Sequence, residues 1–162
     1  MSIKDLDNIL AGYDSAVELV QQRENEKKEA EDKLLEEFKV FKKDHIKPIM
    51  EQYENKLKEY GHDCKIIDKV DSIEIQILPN IIKRESYRPS SHDKNAHAGF
   101  YYNSNKINTS SSTIVPGFSS GSGGVRKSFK SVEDISEKEI NVLLTSVITE
   151  IFDNCKMAIG WK

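Results

Sequence analysis

Long apolar runs are missing from this chain. No stretch reaches the roughly 20 apolar residues needed to span a bilayer. The opening Met1-Ser2-Ile3-Lys4-Asp5-Leu6-Asp7 lacks the basic start and apolar stretch of a secretory leader. Cysteine is scarce: Cys64 and Cys155 alone cannot make a disulfide framework and read as two reduced thiols of a cytoplasmic protein. Glycine is absent between Gly12 and Gly61, and Pro48 is the only proline before Pro79. The first third of the chain therefore has few of the residues that end helices.

Catalytic and cofactor signatures are scarce too. There is no Gly-x-Ser-x-Gly elbow. A phosphate-cradling loop needs Gly-Lys-Ser/Thr between a strand and a helix, whereas Val125-Arg126 separates Gly123-Gly124 from Lys127-Ser128. His62, Cys64, His92 and His97 could in principle hold zinc, but no Cys-x2-Cys knuckle accompanies them. Cys64 or Cys155 could form a dyad with a histidine, yet a free Cys beside an apolar stripe is usually a small hydrophobe. No catalytic residue, metal ligand or cofactor is assigned.

What is present begins with a helical seam. Leu6, Leu10, Tyr13, Val17 and Val20 alternate at steps of four and three. That spacing lines side chains along one face of a helix and resembles a coiled coil. The same frame passes through Glu24, Lys27 and Glu31 and regains apolar residues at Leu34, Phe38 and Phe41. Between residues 21 and 33 the only apolar residue is Ala30. Such a segment is either a continuous helix with a polar middle or the tip of a helical hairpin turning near Asn25. Its wealth of Glu, Lys and Gln favours the continuous helix. Lys47 precedes Pro48, which predicts a break there and a short second helix carrying Ile49, Tyr53, Leu57 and Tyr60, stopped by Gly61.

Beyond residue 61 the pattern changes. Ile73, Ile75 and Ile77 alternate with Glu74 and Gln76, a half-buried strand, and residues 64–70 pair with it as a hairpin around Val70-Asp71-Ser72. Residues 98–102 predict a third strand and Ile114-Val115 a short fourth. Residues 103–124 are mostly Asn, Ser, Thr and Gly and predict a mobile loop. Ser136 with Glu139 has capping-box spacing. Ile140, Leu143, Leu144, Val147, Ile148, Ile151 and Phe152 then form a strongly amphipathic helix, ending near Asn154-Cys155-Lys156, that should cover one sheet face. The expected fold is α+β: a helical arm over residues 1–61, and over 62–162 a head with a small antiparallel sheet of three to four strands and a C-terminal helix.

Charge is uneven. Residues 1–61 carry net −4, residues 62–130 net +4 and residues 131–162 net −3. Within the basic middle, Lys83, Arg84, Tyr87 and Arg88 cluster, and Arg126, Lys127 and Lys130 form a second group around Phe129. Cations interleaved with aromatics suit an anionic partner, either nucleic acid or an acidic protein surface. The sequence thus favours a non-enzymatic protein that self-associates through its arm and presents the head to a partner. Nucleic-acid binding by the basic middle is the second reading, and a small enzyme the third.

Overall fold

The Glu, Lys and Gln residues after Val20 keep the chain helical instead of turning it back. In the computed structural model, which describes residues 2–81, 96–115 and 122–158, α1 runs from Ile3 to Phe41 without interruption. The backbone N–H of Ser2 donates to the Asp5 carboxylate at 2.8 Å, which secures the helix start. The Ser2 hydroxyl reaches the same oxygen at 3.1 Å.

No break occurs at Lys47-Pro48. Lys42–Ile46 forms a single π turn and leads directly into α2, Lys47–Glu59. Lys47 keeps helical dihedrals, φ −59° and ψ −46°, and its N–H donates to the Lys42 carbonyl five residues back. A proline ring normally collides with the carbonyl of the preceding turn. The wider π turn places one extra residue there, so Pro48 is accommodated and the helix continues. This corrects the expectation of a separate second helix. Gly61, at φ +84°, then ends α2 in the left-handed region, and the N–H of His62 caps the Leu57 carbonyl at 3.1 Å.

The sheet follows. β1 (Asp63–Lys69) and β2 (Ser72–Leu78) form a hairpin in which Lys69 faces Ser72 across a two-residue turn. β3 (Ala96–Asn103) pairs antiparallel with β2, and β4 (Lys106–Ser112) pairs with β3. The stubs β5 (Gly123–Gly124) and β6 (Ser128–Phe129) share the far edge of β4. Gly99 is required in β3 because a Cβ there would lie 2.2 Å from the Ile73 carbonyl oxygen. A 3-10 turn, Val132–Asp134, precedes α3, Glu137–Ala158. The Ser136 hydroxyl caps α3 by accepting the Glu139 N–H at 3.2 Å. The helix runs on through Asn154-Cys155-Lys156 to Ala158.

β4 falls inside the segment expected to be a mobile loop, and it replaces the short strand expected at Ile114-Val115. Its burial is largely polar: Asn108, Thr109, Ser111 and Ser112 are all buried, as is the following Thr113. Asn108 Oδ1 and the hydroxyls of Thr109, Ser111 and Thr113 meet the returning chain, and the Ser112 hydroxyl accepts the Ile114 N–H. Thr109 Oγ1 accepts the backbone N–H groups of Arg126 (3.0 Å) and Lys127 (2.9 Å), and Thr113 Oγ1 accepts that of Ser122 (2.8 Å). Hydrogen bonding therefore orders a strand that hydrophobicity alone does not announce.

One face of the sheet carries the core. Ile73, Ile75, Ile77, Ala96, Ala98, Phe100 and Ile107 meet Ile46, Met50 and Leu57 from the first helix and Ile140, Leu144, Val147 and Ile151 from α3. Leu34 and Phe38 belong to the same cluster. The core thus takes in the latter part of the first helix, across the change of pattern at residue 61. Lys42 fastens that helix to the end of β1. It is buried, its Nζ lies 2.7 Å from Asp68 Oδ1, and it also donates to the Lys69 carbonyl. Among the described residues no helix is long and apolar enough to cross a membrane.

Candidate functional site: an exposed helical seam

The seam expected from the sequence divides into two parts with opposite surroundings. From Ile3 to Ala30 every residue of α1 is exposed. Those 28 residues correspond to about 42 Å of helix. Leu6, Leu10, Tyr13, Val17 and Val20 are all exposed, with Leu10 at 51% and Tyr13 at 66%. Ile3, Ile9 and Leu19 add exposed apolar area along the same stretch. Contact with the head begins at Glu31, whose carbonyl accepts the Tyr102 hydroxyl at 2.8 Å. Past that point Leu34 and Phe38 are buried in the chain's own core and Phe41 packs against it. As assembly residues, Leu34 and Phe38 are therefore corrected: the head has already claimed them.

The basic groups meet different fates. Arg126 reaches Glu150 of α3 at 2.7 Å and the Ser111 hydroxyl at 3.1 Å. Lys127 pairs with Glu139 of α3 at 2.7 Å and sits 5.2 Å from the centre of the Phe129 ring. Both cations thus brace the β5–β6 edge against α3, with partial neutralisation of their charge. Lys130 is exposed. Lys83, Arg84, Tyr87 and Arg88 lie outside the described residues.

His62, Cys64 and Cys155 are built into packing. His62 rests on Phe152 with ring centres 4.6 Å apart, and its Nδ1 accepts the Asn80 N–H at 3.1 Å. Burial holds its pKa below the usual histidine value. The Cys64 thiol is pushed up to about 12, chiefly by burial and secondly by the Glu54 carboxylate. Burial also raises Cys155. Neither sulfur is therefore a thiolate nucleophile near neutral pH. Among the described residues, no three His, Cys, Asp or Glu side chains converge to hold a metal. His92 lies outside them.

One polar cluster had no signal in the spacing of residues. On the sheet face away from the core, a cavity of about 370 Å³ is bordered by Lys69, Ser72, Glu74, His97, Tyr101 and Ser110. His97 is buried; its Nε2 lies 3.1 Å from the Ser110 hydroxyl and 3.6 Å from Glu74 Oε2. A serine relay needs the acid on the ring nitrogen opposite the serine. Here Glu74 and Ser110 both approach Nε2, so Glu74 does not stand on the nitrogen opposite the serine. Only the register that sets Gly99 beside Glu74 and Ser110 brings these groups together.

The chain matches no protein-family model, no curated protein and no solved structure, so its functional reading rests on this geometry.

Proposed function

We propose that this is an assembly protein, non-enzymatic, whose arms associate with one another in coiled-coil fashion and carry the α+β heads as contact surfaces. The observation that carries the reading is the exposed apolar face on Ile3–Val20. Each Leu, Ile or Val on it contributes roughly 1.5–3 kcal/mol when removed from water, and no part of the described chain covers it. The occupant we assign is a second copy. A face with steps of three and four is met along its whole length by a partner helix of the same period, and an identical arm supplies one.

The arms are acidic. Residues 3–31 contain eight acidic and four basic side chains. Like charges oppose the association and are screened over about 8 Å at physiological ionic strength, so the assembly tightens as salt rises. A cytoplasmic setting belongs to the same reading and is supported by the two free, buried cysteines.

Sedimentation equilibrium tests it. The chain is expected to weigh in as a dimer or higher oligomer at micromolar concentration, and Leu6→Asp with Leu10→Asp to return it to a monomer with unchanged thermal stability of the head. A wild-type chain that remains monomeric at high micromolar concentration would falsify the reading.

A further inference from the structure

The π turn leaves a groove on the outer side of the helix, next to the 3-10 turn. Val40 and Phe41, faced by Val132, form an apolar floor in a volume of about 540 Å³. Val40 is 60% exposed. The rim is acidic: Glu36, Glu37, Asp44 and Glu133 surround that floor. Lys39 holds Glu36 at 2.9 Å, and Lys33 stands 3.9 Å from Glu37. Asp44 and Glu133, one on each wall, have no ion-pair partner among the described residues.

We propose that this groove docks a basic segment of a partner protein, with an aromatic or branched apolar side chain seated on Val40, Phe41 and Val132 and Lys or Arg residues meeting Asp44 and Glu133. Charge complementarity selects this occupant. An apolar side chain seated in the groove draws water away from both carboxylates, and a charge that loses water stabilises a complex only when an opposite charge meets it. The acidic arm of a second copy brings the wrong sign. Nucleic acid and anionic lipid surfaces are repelled by the same rim. Local structure supplies the shape: the π turn sets Phe41, Asp44 and His45 on one side of the helix, and the 3-10 turn brings Val132 and Glu133 opposite them. π turns inside α-helices are frequent at functional positions.

The proposal is independent of arm-mediated assembly, and the two respond to salt in opposite senses. The probe is a fluorescent peptide of about a dozen residues with a central Trp flanked by four Lys or Arg, followed by anisotropy on the full chain. The expected result is saturable binding that weakens roughly tenfold between about 50 and about 300 mM salt. Binding is expected to persist in the Leu6→Asp/Leu10→Asp chain. Asp44→Lys with Glu133→Lys, both exposed positions, should weaken it at least tenfold with the circular dichroism spectrum unchanged. Reversing Glu26 and Glu29 on the distant arm should change it less than twofold. The proposal is overturned if the peptide does not bind, if the arm reversal weakens binding as much as the groove reversal, or if replacing the central Trp by Ser leaves affinity intact.

Discussion

Two lengths of one helix share a single spacing of apolar residues and end in different environments. Leu6 to Val20 stand in solvent, whereas Leu34 and Phe38, in the same frame, are sealed against the head. The spacing does not separate them: both keep steps of three and four in one frame. The difference lies in what reaches them. The sheet, the 3-10 turn and α3 extend along the helix only as far as about Glu31, where the Tyr102 hydroxyl makes contact. A heptad-like pattern thus marks a face that requires covering and is silent about what covers it.

That contrast can be broken at its buried end. Phe38→Ala is expected to lower unfolding stability by about 3–5 kcal/mol, the usual cost of emptying a large aromatic site in a core. Leu10→Ala should leave unimolecular stability within about 0.5 kcal/mol while raising the dissociation constant of the assembly roughly tenfold or more. Chemical denaturation and sedimentation on both variants check the pair. Equal stability losses would mean that the exposed part of the arm packs on the head.

Next in size is the tether. Lys42→Ala removes the buried cation that meets Asp68 and the Lys69 carbonyl and should cost about 3 kcal/mol, since Asp68 loses its closest cation. Lys47, 3.7 Å from Asp68, offsets part of the loss. A cost below about 1 kcal/mol in urea denaturation would reduce the pair to the value of a surface ion pair.

The contrast can also be sharpened by extending it. Glu24→Leu, Lys27→Leu and Glu31→Leu together would carry the apolar face unbroken from the arm into the head. Association should then tighten by a factor of about 10 or more, each tenfold step corresponding to about 1.4 kcal/mol. Unchanged sedimentation would show that the arms do not meet along this frame.

The smallest expected effect concerns pH. Unfolded His62 titrates near pH 6.5, and the folded side chain titrates lower because of burial. The unfolded state takes up the proton first, so this contribution to stability is complete above about pH 6.5 and is lost as the pH falls through the folded value. His62→Gln should flatten the difference in melting temperature between pH 7.5 and pH 5, and an identical slope in both chains would remove His62 as its source.

Much of the fold was legible because periodicity reports directly on a face that meets a core. The Ile73-Ile75-Ile77 alternation, the hairpin before it, the strand around Ala98–Tyr102 and the stripe from Ile140 to Phe152 all appear where the spacing puts them. β4 was hidden because Ile107 is its only large apolar residue and because Asn108, Thr109 and Ser111 are met by residues 124–128, a relationship that no local window contains. Lys47-Pro48 misled because a dipeptide rule carries no account of a π turn. The groove was illegible for a related reason: Val40 and Val132 are far apart in sequence, and only the fold sets the acids around them.

The π turn has a further consequence for direction. From Ile3 to Glu59 the helix advances 57 residues without interruption, about 85 Å of rod, so it carries an angle from one end to the other. Each residue turns an α-helix by about 100°, but the wider turn at Lys42–Ile46 takes up its extra residue within about one revolution, so the arm's apolar face leaves the head at nearly the azimuth of an unbroken α-helix. Deleting one residue from that turn would return it to α geometry and leave the direction of the face nearly unchanged, whereas deleting one from the α-helical stretch between Glu31 and Phe41 would swing the face by about 100°. In the assembly proposed above, the seam would govern whether copies meet, and the spacing of the α-helical residues between seam and head would govern which way the heads point.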